Sequence, residues 1–422
     1  MAMPLVFVHG VGNRIDGHHA QLSRGRDALF RRHLLSTHER RDGKEIAVHN
    51  PYWGGIASSL AWGGASIPQR EHTDVEHLGA TDPDDDLAEL GAALVPPGSR
   101  LPPVLATARL GLGEAVDLLW AAAVLEHPED AEDLARMSRV AVAYAEANPC
   151  PEWLETVHTD AEFLGRLHQE LAEAAERPPQ GEHRGSTDEA EWEQLGSLGW
   201  WDAVSAAGRQ LGHALVNRTV GAGADEFRSR VGKPAALFLG DIFAYLRQND
   251  APAGLRTTDR APAPGRGETA PDWGPIARGV ADAVVAAQAE ARSGDPLVIV
   301  AHSMGGNIVY DVLSGLLGPE DVQVDLLVTV GSQVGLFEEL KLFSSSRSDL
   351  PGPTSVKVPR PRTVRRWINV FDYSDPLSFV TAPVFDGVED LLYRTGRIRA
   401  HSAYFLQPRF HALLASRAGR IA

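Results

Sequence analysis

Two kinds of apolar pattern alternate along the chain. Short unbroken apolar runs mark strands covered on both faces. They occur at Pro4-Leu5-Val6-Phe7-Val8, Leu297-Val298-Ile299-Val300, Val324-Asp325-Leu326-Leu327-Val328-Thr329-Val330 and Trp367-Ile368-Asn369-Val370-Phe371. Glu45-Ile46-Ala47-Val48-His49-Asn50 predicts a second strand, and residues 388–394 a last one. Helices are predicted at about 17–36, at 272–292 and directly after residue 303, where Ile308, Val309, Val312, Leu313 and Leu316 recur at helical spacing. From about 58 to 238 the strand runs cease. Helical periodicity takes their place at 104–125, 129–147 and 151–176, and residues 237–248 return towards the sheet. Polar stretches rich in Gly, Pro or Asp, at 70–103, 177–190 and 250–271, predict loops. The pattern gives an α/β fold: a mostly parallel sheet flanked by helices, built from 1–57 and 237–422. A large, mainly helical insertion fills 58–236.

The stretch 296–310, Pro-Leu-Val-Ile-Val-Ala-His-Ser-Met-Gly-Gly-Asn-Ile-Val-Tyr, reads as strand, tight turn and helix with Ser303 at the apex. So sharp a turn needs small residues two before and two after the serine. Ala301 and Gly305 provide them, with Ala in the place usually held by the first Gly of G-x-S-x-G. The turn exposes Oγ and aims the backbone N–H of Met304 at the same space. A serine there could also be a simple helix N-cap. The first strand ends in His9-Gly10-Val11-Gly12, a turn that places backbone N–H groups at the carboxyl end of a strand, where open α/β sheets bind ligands.

A serine alcohol becomes a nucleophile when an imidazole takes its proton and a carboxylate holds that imidazole in the right tautomer. The acid should follow a late strand and the base the last one. Asp375, in Asp372-Tyr373-Ser374-Asp375-Pro376, and His401, in Arg399-Ala400-His401-Ser402, stand there. Asp375 is preferred to Asp372 because Pro376 restricts its backbone. His401 is preferred to His411 because it precedes the terminal helix, whereas His411 lies inside it.

Ala-His-Ser-Met-Gly-Gly and Val-His-Gly-Val-Gly, with the order Ser, Asp, His, resemble the α/β-hydrolases and are similar to bacterial lipases and esterases. The resemblance spans about 1–55 and 237–418. It implies Ser303 as nucleophile, Asp375 as acid, His401 as base, and an oxyanion hole from the N–H groups of Val11 and Met304. It departs from the family in lacking the two opening antiparallel strands and in the length of the insertion. His9 and Gly10 are expected beside the substrate.

The insertion carries Trp192, Leu195, Leu198, Trp200, Trp201, Val204, Leu211 and Leu215. These form either a helical core or a lid whose apolar face meets lipid. Trp200 and Trp201 point about 100° apart on a helix, which suggests that one of them faces substrate or a transient lipid interface.

Bulk properties narrow the function. A formal charge of −16 argues against nucleic acid and against an anionic bilayer as partner. Thr81-Asp82-Pro83-Asp84-Asp85-Asp86 lacks the spacing of a calcium loop, and Arg360, Arg362, Arg365 and Arg366 read as a solvated approach to a strand. A single cysteine, Cys150, excludes an internal disulfide and fits a reducing compartment. With no signal segment before the first strand and no run of eighteen uncharged apolar residues, a cytoplasmic location is expected. The expectation is a serine hydrolase of carboxylic esters, acting on an ester or lipid without metal or organic cofactor. The alternatives are a phospholipase or acyltransferase with the same residues, or a non-catalytic binding protein on a hydrolase scaffold. The oligomeric state is left open.

Overall fold

A computed structural model describes residues 4–11, 17–35, 46–59, 101–176, 199–218, 237, 239–249, 273–291, 295–352, 356–395 and 400–419. The carboxylates at 81–86, Trp192, Leu195, Leu198 and the polar stretches at 177–190 and 250–271 lie outside these residues, as does most of 70–103.

Six strands form one parallel sheet: β1 (Leu5–Val8), β2 (Val48–His49), β3 (Val298–His302), β4 (Val324–Val330), β5 (Val364–Phe371) and β6 (Val388–Leu392). Their spatial order is β2-β1-β3-β4-β5-β6. The chain leaves β1 towards β2 on one side, then crosses to β3 on the other, so the order reverses between β1 and β3. In open parallel sheets the crevice at such a reversal is where ligands bind. Register brings the strand ends level: Val8 pairs with Ala301, His302 with Val330, and Phe371 with Leu392. The residues that follow β1, β3, β4, β5 and β6 therefore gather at one edge.

Side chains alternate along each strand, which divides the apolar residues between two faces. On one face Val6, Val8, Ile299, Ala301 and Leu327 meet Ile276, Val280 and Val284 of the helix Pro275–Glu290. On the other, Leu5, Phe7, Val298, Val300, Leu326 and Ile368 meet Phe30, Phe410 and Leu414. These last come from the π-helical turn that follows α1 (Gly17–Leu29) and from the C-terminal helix Pro408–Ala418.

The described helices between 101 and 218 are α2 (Pro103–Ala108), α3 (Leu112–Glu126), α4 (Ala131–Ala147), α5 (Asp160–Glu176) and α6 (Gly199–Arg218), with a core of their own. The helix expected over 104–125 is interrupted at Gly111, which separates α2 from α3. In the segment 237–248, expected to return towards the sheet, residues 239–249 form a helix, α7, that packs on the sheet's core. Ile242, Tyr245 and Leu246, spaced three and four apart, turn to the first core cluster, while Phe243 is 65% exposed. Tyr245 donates its hydroxyl to Asp311 at 2.8 Å and so ties this helix to the one that follows Ser303.

Polar contacts bind the helical layer to the sheet. His33 Nε2–H donates to Ser138 Oγ of α4 at 2.8 Å. Asp117 of α3, buried, accepts the Arg409 backbone N–H at 3.1 Å and the Tyr393 hydroxyl at 3.3 Å. Burial pushes the Asp117 carboxyl up to about 7, against the pull of Arg409. The folded chain thus holds this proton more tightly than the unfolded one. The stability it contributes is full below the ordinary carboxylate pKa of about 4 and is lost as pH rises through about 7. Urea midpoints should fall between about pH 4.5 and about pH 7.5, a span that covers most of that window, by a margin that Asp117→Asn reduces. An unchanged margin in the variant would assign the slope to other groups. Among the described residues no helix is long and apolar enough to cross a membrane.

Candidate active site

β3 delivers Ser303 to the sheet's carboxyl edge, and the helix α9 (Met304–Asp311) starts at once; the helix Pro275–Glu290 described above is α8 in this order. Ser303 has φ 54° and ψ −129°, a left-handed conformation that is rare for a side-chain-bearing residue and costs about 1–3 kcal/mol. Three hydrogen bonds hold it there. Its N–H donates to Val330 O at 2.9 Å, and its carbonyl accepts the Gly306 N–H at 2.9 Å and the Ser332 hydroxyl at 3.0 Å. The turn also needs a residue without a side chain at 305. A Cβ there would collide with the carbonyl oxygens of Val8 and His9, the latter at 2.6 Å.

His401 follows β6 and lies in the short helix Ala400–Ala403. Ser303 Oγ donates to its Nε2 at 2.8 Å, and its Nδ1–H donates to Asp375 Oδ2 at 2.9 Å. This assignment of hydrogens is the one that satisfies all three groups. The Asp375 side chain is fully buried, while that of His401 remains 24% exposed. Asp375 Oδ1 also accepts the Leu377 N–H at 2.9 Å, and its Oδ2 accepts the Tyr404 hydroxyl at 3.1 Å. Gly331, at φ +56°, ends β4 beside this pair: a Cβ there would lie 3.0 Å from Asp375 Oδ2 and 3.4 Å from His401 Nδ1.

The alternatives weighed in the sequence are placed elsewhere. Asp372 spends Oδ2 on the N–H and hydroxyl of Thr395, each at 2.7 Å, and Oδ1 on the Ser374 N–H at 2.8 Å. It fastens the loop that presents Asp375. His411 is buried inside α12 (Pro408–Ala418), where Nε2–H donates to Phe405 O at 2.9 Å. Here α10 is Val334–Glu339 and α11 is Ala400–Ala403. Burial lowers the His411 imidazole to about 4.

The turn after β1 packs against the serine. A Cβ on Gly10 would sit 2.7 Å from Ser303 Cβ and 3.2 Å from its Oγ. Val11, the next residue, is half-buried against the first core cluster, and Met304 is fully buried at the start of α9. The first backbone N–H groups of a helix have no acceptor within it, so that of Met304 is available at the turn. His9, expected beside the substrate, is engaged in shaping this turn. Its ring stacks on Trp53 at 4.9 Å and 7°, its Nδ1–H donates to Gly10 O at 2.8 Å, and its Nε2 accepts the Trp53 N–H at 3.3 Å. Trp53 Nε1–H closes the arrangement on His9 O at 3.0 Å.

Trp200 and Trp201, expected at the substrate or a lipid surface, are placed in the helical layer. Trp200 is buried with its ring stacked against Trp120 of α3 at 6.3 Å, and Trp201 stacks on His168 of α5 at 4.5 Å and 10°. The premise that one helical core cannot use both directions fails for a simple reason. α6 packs against α2, α3, α4 and α5, so Trp200 has α3 to face and Trp201 has α5. The contacts the structure gives them are packing contacts.

Three residues at the site were not singled out in the sequence. His302, beside Ser303, donates Nε2–H to the His401 carbonyl at 2.5 Å, and the two rings lie 4.7 Å apart. Burial and then the neighbouring His401 hold its imidazole well below the ordinary range, so it stays neutral. Gln333 accepts Asn307 Nδ2–H of α9 at 3.2 Å and donates to Leu377 O at 2.5 Å, linking the helix after Ser303 to the loop of Asp375. Tyr404 is the third. Only the helical spacing from His401 could have pointed to it, since adjacent turns share a face. No protein-family model, curated protein or solved structure matches the chain.

Proposed function

We propose that the chain is a serine hydrolase of carboxylic esters, built as an α/β-hydrolase with a helical cap. The observation that carries this reading is the continuous contact from Ser303 Oγ through His401 to Asp375, mounted on a strained strand-to-helix turn. Strain of this kind persists where its surroundings enforce it, and it concentrates at functional sites.

His401 Nε2 takes the proton of Ser303 as Oγ attacks the ester carbonyl. Asp375 holds the imidazole with Nδ1 protonated and stabilises the imidazolium. The N–H groups of Val11 and Met304 receive the developing oxyanion, each contributing about 3 kcal/mol to the transition state. His401 then passes its proton to the departing alcohol, leaving an acyl-enzyme. Water, deprotonated by the same imidazole, releases the acid. These steps use neither metal nor organic cofactor.

The helical segment is read as a fixed cap. Its tryptophans meet one another and its neighbours, and it is fastened to the sheet at His33, Asp117, Tyr393 and Arg409. Trp200→Ala should then cost about 3–5 kcal/mol of stability, as large buried aromatics do. The rate per titrated active site should be unchanged, with a smooth saturation curve on a long-chain ester through its aggregation threshold. A jump at that threshold, lost in the variant, would restore the lid.

The reading is tested by a fluorophosphonate, which forms a stable adduct with an activated serine. Mass analysis should find the adduct on the peptide containing Ser303. An intact protein that stays unlabelled would leave only a binding role for this site.

A further inference from the structure

We propose that Tyr404 is a positioning residue of the active site, setting the orientation and basicity of the Asp375–His401 pair through its hydroxyl. The inference rests on the hydrolase reading and adds a fourth member to the group.

Asp375 Oδ2 receives two donors, His401 Nδ1–H at 2.9 Å and the Tyr404 hydroxyl at 3.1 Å. The tyrosine and the histidine therefore compete for charge on one oxygen. The geometry is set by local sequence: Tyr404 begins the 3₁₀ turn that continues the His401 helix, so acid, base and phenol meet around Gly331. A side chain at 331 would lie 3.0 Å from Asp375 Oδ2 and 3.3 Å from the Tyr404 ring. The ring itself is fully buried and packs edge-on against Phe410 at 5.9 Å, which leaves the phenol little freedom to turn away.

A buried tyrosine commonly finds some acceptor, so a hydroxyl merely satisfied in the core must be distinguished from one that adjusts the site. Burial, and then the Asp375 charge, push the phenol up, so it remains protonated and donates its proton to Asp375. A neutral donor stabilises the carboxylate and so makes it a weaker partner for the imidazolium. The other titratable neighbours are His302, held neutral, and Asp372, whose oxygens are engaged with Thr395 and Ser374. Removing the hydroxyl should therefore move the acid limb of the pH profile upward.

The experiment compares pH profiles of kcat/KM for the wild type, Tyr404→Phe and Tyr393→Phe. Tyr393 supplies a control, because its hydroxyl serves Asp117 and its ring lies 6.3 Å from that of Tyr404. Tyr404→Phe should move the acid limb up by roughly half a pH unit and lower kcat about three- to tenfold, with KM unchanged. Tyr393→Phe should lower stability and leave the limb in place. Site-specific incorporation of 3-fluorotyrosine at Tyr404 makes the hydroxyl a stronger donor in the same space, and should move the limb downward. The low-field NMR resonance of the proton between His401 and Asp375 should shift in both Tyr404 proteins.

An acid limb and a proton resonance unmoved in both would overturn the inference and leave Tyr404 a core residue. If the wild type takes no fluorophosphonate, the hydrolase reading fails by itself, and the proton resonance alone then decides whether Tyr404 acts on the pair. Should Tyr404→Phe fold poorly, the fluorotyrosine protein carries the same decision.

Discussion

Ser303→Ala is expected to abolish fluorophosphonate labelling and to lower kcat by roughly 10⁴–10⁶, the loss seen when such nucleophiles are removed. Substrate binding should survive, because the turn after β1 and the start of α9 keep their places. Ser303 donates one side-chain hydrogen bond, to His401, and its backbone contacts to Val330, Gly306 and Ser332 do not need the hydroxyl. Stability therefore separates catalysis from folding. Alanine inherits the strain of φ 54°, so its unfolding midpoint should stay near that of the wild type. Ser303→Gly removes the penalty on the left-handed backbone. Set against glycine's greater freedom when unfolded, it should leave a protein at least as stable as the alanine variant, to within about 1 kcal/mol. Two stable, unlabelled variants would place the reaction on Ser303. Equal labelling of wild type and alanine variant would remove it from this residue.

The second large effect separates two aspartates on one loop. Asp375→Asn should cost about 10⁴ in kcat. The amide can turn its NH₂ to His401 Nδ1 and so favour the tautomer that carries its proton on Nε2, which cannot accept one from Ser303. Asp372→Asn should act differently. Its carboxylate accepts three hydrogen bonds from Thr395 and Ser374. Replacing one oxygen by a donor leaves buried N–H or O–H groups without an acceptor, at about 1–3 kcal/mol of stability. The comparison is kcat per active site, titrated by burst, alongside the unfolding midpoint. Activity lost in Asp372→Asn while Asp375→Asn keeps it would transfer the acid's role to Asp372.

The sequence by itself determined the elements closest to Ser303, because their physics is local. Four apolar residues in a row can only be a short buried strand when a turn and an amphipathic helix follow at once. The strand at Val298–His302 and the helix at Met304–Asp311 were legible for that reason. Ala301 and Gly305 flank Ser303 closely enough that a need for small side chains could be read without knowing what lay opposite. Spacing also proposed Asp375 and His401, since a parallel sheet sends every strand end to the same edge. Tertiary structure decided what depends on partners distant in sequence. Pro376 offered a weak reason to prefer Asp375; the reason visible in space is that Thr395 and Ser374 already occupy the two oxygens of Asp372. His9 carries the same imidazole in any environment, and only the approach of residue 53 to residue 9 gave its ring a stacking partner. Trp200 and Trp201 diverge around their helix in any fold; the number of neighbouring helices fixed whether both could be covered. Tyr404 reaches Asp375 across a gap of 29 residues, and Asp117 meets Tyr393 across 276. Periodicity records which side of an element is apolar, but the identity of the group that faces it is set by chain closure, and that is absent from any local window.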